Sequence, residues 1–218
     1  MSNLPDDSPA PTPRAEQIDW QLLGAAQSSL AYLVFLAQFE FMADAFEDAD
    51  FAQLADGLIN QELVPALDLP HTDRAAHGER LLARLADRAA LIPLSEIVAG
   101  GSIKLPQNVL PVIRARIAAN QPFDRLALGV AGWMRYVMGI DENGDSIAVK
   151  DPLAMRMLAI AAGAGDDPEA LFDGLTALTQ VFGAELPENP LFRDTVIDHL
   201  ESLFEIGVAE TVAQVAAL

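Results

Sequence analysis

Cysteine is absent from this chain of 218 residues. Its absence excludes disulfides, thiolate nucleophiles, and cysteine-ligated zinc or iron–sulfur sites. Positive charge is scarce as well: 13 Lys and Arg stand against 32 Asp and Glu, a formal net charge of −19. A chain this acidic cannot neutralise phosphates, which excludes nonspecific nucleic-acid binding. It is equally unsuited to an anionic membrane surface. Aromatic residues make up only 6% and β-branched runs are few, which argues against a sheet-based core. No G-x-G-x-x-G occurs and no strand–helix–strand alternation is visible, so the sequence offers no ordinary dinucleotide site. Met1 to Pro13 lacks the basic and apolar regions of a signal peptide, which fits a cytoplasmic protein.

What is present is Ala and Leu. Hydrophobic residues reach 51%, enough in a chain of this length for one good core. Leu and Ala favour helix, so the fold class read from composition is all-α. The apolar periods along the chain predict about nine or ten helices. Residues 1–16 hold four prolines with Ser and Asp and read as a disordered N-terminal tail. Residues 17–218 then form one domain.

From Trp20 to Phe39 no charge interrupts the chain. The length would allow a membrane span. Gln21, Gln27, Ser28, Ser29 and Gln38 lie within it, however, and burying unpaired polar groups in lipid costs about 2 kcal/mol or more each. The stretch therefore reads as a buried central helix. Asp44, Asp48 and Asp50 read as a solvated helix face. Thr72 or Asp73 is expected to cap a helix carrying the stripe Arg80, Arg84 and Arg88, which could receive an anion or a partner's carboxylates and more readily pairs with acids of the chain itself. His71 and His77 read as surface histidines, with no third ligand for a metal.

The densest signal lies between Gly100 and Pro152. Gly100-Gly101 is a turn. A helix opens at Leu105-Pro106, with Arg114 and Arg116 off its apolar face. A second runs from Asp124, as N-cap, to Gly139, and is apolar on nearly every side, the pattern of a buried helix. Asp141 to Asp145 is a turn and not a calcium loop, because Gly144 stands at the fourth place and not the sixth. Asp151-Pro152 opens the next helix, and Leu153 to Ala162 stops at Gly163. Asp167-Pro168 and Asn189-Pro190 open two more. The chain closes near Gly207 with a short apolar tail. His199 has no evident catalytic partner.

These residues carry a specific resemblance. G-S-x-K-L-P from Gly101, D-R-L-A-L-x-V-A-x-W-M-R-Y from Asp124 and G-x-D-E-x-G-x-x-I-x-V-x-D-P from Gly139 resemble the C-terminal domain of the mannitol dehydrogenase family, the long-chain polyol dehydrogenases and hexuronate reductases. The resemblance runs from about Asp19 to the C-terminus. It implies the multi-helical, 6-phosphogluconate dehydrogenase C-terminal-like substrate domain of those enzymes. It also implies a motif K-x-x-x-x-N-x-x-H, in which lysine is the general base and the amide and imidazole polarise the reacting oxygen. The tail S-x-L-A-Y-L, Ser28 to Leu33, fixes the register: the lysine position holds Asp19, the asparagine position Gly24 and the histidine position Gln27. No lysine precedes Lys104. Lys104 matches the family's basic residue beside the substrate; a charged side chain just before a buried helix is equally a structural anchor. With Asn108 and Gln27 it forms the expected substrate-binding set.

Three functions follow as expectations. The first is a stand-alone, non-catalytic relative, a pseudoenzyme that binds a polyol or uronate or regulates a dehydrogenase. The second is the substrate-domain subunit of a split oxidoreductase, with NAD(P) held by a separate partner chain. The third is a helical interaction or oligomerisation module, such as a homodimer. None has the chain itself binding a metal or a nucleotide cofactor.

Overall fold

The computed structural model describes residues 13–66, 71–87, 89 and 92–218. Among them are thirteen α-helices and no strand. The first, α1 (Pro13–Leu36), is the longest and begins four residues inside the stretch expected to be a tail. It is followed by α2 (Met42–Ala45) and α3 (Ala49–Gly57), which runs without a break into a π-helical turn at Leu58–Leu63 and a short 3₁₀ turn at Val64–Ala66. Next come α4 (His71–Leu85), α5 (Leu94–Ile97) and α6 (Gly101–Lys104), then a π-helical turn at Leu105–Val109 that leads directly into α7 (Leu110–Ala118). The C-terminal half holds α8 (Asp124–Tyr136), α9 (Ala154–Ala164), α10 (Pro168–Thr176), α11 (Thr179–Phe182), α12 (Pro190–Glu205) and α13 (Gly207–Ala216). The excess over the expected number comes from α2, α5, α6 and α11. Each is one turn long, too short to display a hydrophobic period.

The core forms around α1 and α8, with α12 on the other side of α8. Every residue of α8 from Arg125 to Tyr136 is buried, as its all-round apolar sequence requires. The two central helices approach closely where α8 carries glycine at the contact, at Gly129 and Gly132. A Cβ on Gly129 would lie 2.8 Å from the backbone of Ser29. Trp133, Phe182 and Phe192 stack in series with Phe172 to close the far side of α8. No helix among the described residues is long and apolar enough to cross a membrane.

Several local expectations change. Asp124 does not cap α8; Phe123 occupies the cap position. The freed N–H groups of Arg125 and Leu126 donate instead to the carboxylate of Glu62, each at 2.9 Å. The cap thus arrives from a π-helical turn 63 residues away in sequence. Arg116 is buried rather than off the core, and its guanidinium donates to the carbonyls of Pro122 and Glu62. Asp151 does not open a helix at Pro152. It reaches back to receive the Ser102 N–H at 2.8 Å and the Ser102 hydroxyl at 2.6 Å, capping α6. The helix after it starts at Ala154 and runs through Gly163 to Ala164. Gly207, at φ 81°, does not end the chain's structure; it turns α12 into α13, which packs back on α3. The caps expected at Asp167 and Asn189 are present, accepting from the N–H of Ala170 and Phe192. Asp48 caps α3 in the same way, which gives one of the three early aspartates a structural task.

Candidate functional site

The three motif positions lie along α1 and do not share one environment. Trp20, Gly24 and Gln27 recur at i, i+4 and i+7 and so occupy one face of the helix. Asp19 points aside, into the contact with α4. It is 2% exposed. Its carboxylate touches the Nδ1 of His77 and accepts from the Nε of Arg80 at 2.9 Å and the Nη2 of Arg80 at 3.4 Å. Burial pushes the Asp19 carboxyl up, but the hydrogen bonds and charges of Arg80 and His77 outweigh it and hold it below the usual carboxylate range. His77 is thus no surface histidine: it is 4% exposed and belongs to a buried pair. The side chain of His71 lies outside the described residues, as does Arg88. The described part of the arginine stripe divides. Arg80 pairs with Asp19, whereas Arg84 lies over the indole of Trp20, 5.0 Å from the ring centroid. The helix also begins at His71, before either residue expected to cap it.

Gly24 faces Asn108. A Cβ at Gly24 would stand 3.3 Å from the Nδ2 of Asn108, so the asparagine carboxamide fills the space a side chain would take. That Nδ2 makes a long hydrogen bond, 3.4 Å, to the hydroxyl of Ser28. Asn108 is delivered there by the π-helical turn Leu105–Val109, whose wider winding shifts the register between Lys104 and α7. Beside it lies a cleft of about 280 Å³, bordered by Gln21, Leu22, Ala25, Leu63, Asn108 and Val112. Its charged lining is nil; its polar groups are carboxamides. Gln27 is half-buried, and its side chain forms no hydrogen bond to another described residue.

Lys104 sits one turn before Asn108 on the same continuous helical run. Its Nζ donates to the carbonyl of Ile97 at 2.8 Å, and burial lowers its proton affinity. The structure therefore brings Asn108 against Gly24 and Ser28, and ties Lys104 to the turn after α5. Of the glycine pair ahead of it, Gly100 is open and Gly101 is packed. A Cβ on Gly101 would meet the Tyr32 hydroxyl at 2.5 Å, with the Trp133 indole nitrogen also in the way. The next N–H, of Ser102, is already taken by Asp151. This turn has no free N–H pair for a pyrophosphate, and the described residues contain no strand to precede one. This turn does not fit a dinucleotide.

Two further acid–base groups are buried, of which Glu62 escaped the sequence reading. Glu62 is 1% exposed and its carboxyl is pushed up to about 6 by burial, against the lowering effect of the two N–H groups of α8 and of Arg125 and Arg116. No local pattern marks it, since its neighbours in sequence are ordinary helix formers. His199 packs against the start of α8; burial lowers its pKa, and its Nε2 is buried without a partner. A larger groove, about 650 Å³, lies at α10 and α12, but its Arg193 is already paired with Asp173 and Glu169. Among the described residues no group of three or more His, Asp or Glu is placed to hold a metal ion.

Comparison with known proteins agrees with this architecture. Residues 18–204 match the family model of the mannitol dehydrogenase C-terminal domain. The oxidoreductase YdfI of Escherichia coli is 38% identical over 199 residues, covering 91% of this chain and 41% of that protein. The D-mannonate oxidoreductase of E. coli is 34% identical over 201 residues, covering 91% and 40%. Among solved structures, the ternary complex of Pseudomonas fluorescens mannitol 2-dehydrogenase with NAD and D-mannitol superposes with a TM-score of 0.82 at 27% identity, over 94% of this chain and 41% of that one. The chain spans about two fifths of the length of the relatives it matches.

Proposed function

The chain belongs to the mannitol dehydrogenase C-terminal domain family, and from that membership we propose that it is a polyol- or uronate-binding domain that does not itself abstract a proton. The carrying observation is the state of Asp19. It stands where the family motif has its lysine, and it is buried in a pair with His77 and Arg80. A general base works best with a pKa near the operating pH. A carboxylate held below its usual range has little affinity for a proton at neutral pH, and this one is turned away from the face that carries Gly24 and Gln27. The Arg80 guanidinium beside it also supports the view that the aspartate is built in: a lysine there would sit against that cation.

Binding is a separate matter from proton transfer. Gln27 and Asn108 offer uncharged donors and acceptors on the α1 face, and Lys104 keeps two N–H groups beyond the one given to Ile97. Such groups suit hydroxyls. The role follows as ligand capture or regulation within an oxidoreductase family.

The experiment pairs two measurements on the purified chain. NADH oxidation is assayed with keto-sugars and keto-uronates, and thermal unfolding is recorded with polyols, hexuronates and their keto forms. The expected result is no turnover and a stabilising shift with one ligand class, whose size follows mass action. Turnover by the chain alone would sink the non-catalytic reading. Absence of any shift at millimolar ligand would sink the binding reading.

A further inference from the structure

Trp20 is the only exposed aromatic ring among the described residues, at 64% exposure. The other rings are buried or half-buried. Leaving an indole in water forgoes a large hydrophobic contribution to folding, and here the indole stands in a row with Gly24, against which the Asn108 carboxamide packs, and with the carboxamide of Gln27. The row spans about 10 Å along the helix axis. Arg84 flanks it, lying over one face of the indole. Arg80, Arg125 and Arg193 are each paired with a carboxylate. Arg84, like Arg114, Arg116 and Arg135, has no carboxylate partner among the described residues, and those three donate to carbonyls instead.

From this arrangement we infer that the Trp20–Arg84 pair is a subsite for a ring-closed sugar acid. The inference rests on the binding reading above and names the form of its ligand. The apolar C–H face of a pyranose packs on the exposed indole. The carboxylate takes charge-assisted hydrogen bonds from Arg84, whose planar fork matches it. Gln27 and the Asn108 carboxamide, which fills the space beside Gly24, meet its hydroxyls. An open-chain polyol has neither the flat apolar face nor the charge to use this pair.

The chain has two tryptophans, and Trp133 is buried, so collisional quenching by acrylamide reports on Trp20 in the unmodified protein. The probes are methyl α-D-glucuronopyranoside, its neutral counterpart methyl α-D-glucopyranoside, mannitol and gluconate, each also followed by thermal shift. The expected result is saturable protection of Trp20 by the glucuronoside. Protection should weaken about tenfold or more in apparent Kd with the neutral glucoside and in Arg84→Gln, and vanish with the exposed ring in Trp20→Leu. Equal protection by the neutral glucoside overturns the carboxylate assignment. Stabilisation by any probe without protection of Trp20 overturns this subsite and leaves the binding reading standing. No protection and no stabilisation by any of the four overturns both.

Discussion

The Asp19 carboxylate accepts from the Nε of Arg80 at 2.9 Å across 61 residues of sequence, and this bond fastens the start of α1 to α4. Reversing the charge at Asp19 places a cation beside Arg80 and His77 and leaves a buried imidazole without its partner. Breaking a buried pair costs about 3–5 kcal/mol; because the Arg80 side chain is 38% exposed, the lower end applies. Asp19→Lys is therefore expected to lose about 3 kcal/mol in urea unfolding and to gain no dehydrogenase activity, even combined with Gly24→Asn and Gln27→His. An unchanged unfolding midpoint would remove Asp19 from its structural role.

Two buried carboxyls give acid stability opposite signs. Asp19 has a depressed pKa, so its contribution is present above the usual carboxylate range and is lost as pH falls through its lower folded value. Glu62 has a raised one, from 4.5 to about 6. Between those values the folded state holds a proton that the unfolded state has released. The Glu62 contribution is thus present below pH 4.5 and is lost as pH rises through 6, a change of about 2 kcal/mol. Urea titrations from pH 4.5 to 7 should show that slope in the parent protein and a flatter one in Glu62→Gln. Parallel pH profiles would contradict the assignment.

Gly24 and Asn108 compete for one space. Alanine at position 24 brings a Cβ to 3.3 Å from the Asn108 amide, close but against a side chain that can shift. Helix propensity favours alanine by up to about 1 kcal/mol, so Gly24→Ala is expected to be neutral or mildly stabilising. Gly24→Asn needs the full volume and should destabilise. Adding Asn108→Ala should recover much of that loss, giving a coupling of about 1 kcal/mol in a double-mutant cycle. Additive effects would mean that the two side chains do not meet.

Gly101 tolerates less. Its added Cβ meets Tyr32 and Trp133, both buried and fixed by the packing of α1 and α8. Overpacking of this kind costs about 1–3 kcal/mol. Thermal unfolding of Gly101→Ala should fall by several degrees, whereas Gly163→Ala, which has open space around its Cβ, should hold or rise.

The sequence by itself determined the helical class, the burial of α1 and α8, and the caps at Asp167 and Asn189. Each is written in local terms: an apolar period, or an oxygen three residues ahead of the N–H it receives. It also carried the family resemblance, because its motifs keep their spacing. What only the tertiary structure decided are pairings across distance. His77 looked like a surface residue because its partner Asp19 lies 58 positions away. Glu62 looked ordinary because the helix it caps begins in another part of the chain. Asn108 could be placed against Gly24 only once the π-helical turn had set its direction. Local pattern fixes which face of a helix is apolar. Which charge meets which across helices depends on how the helices cross, and that is set by the packing of the whole core.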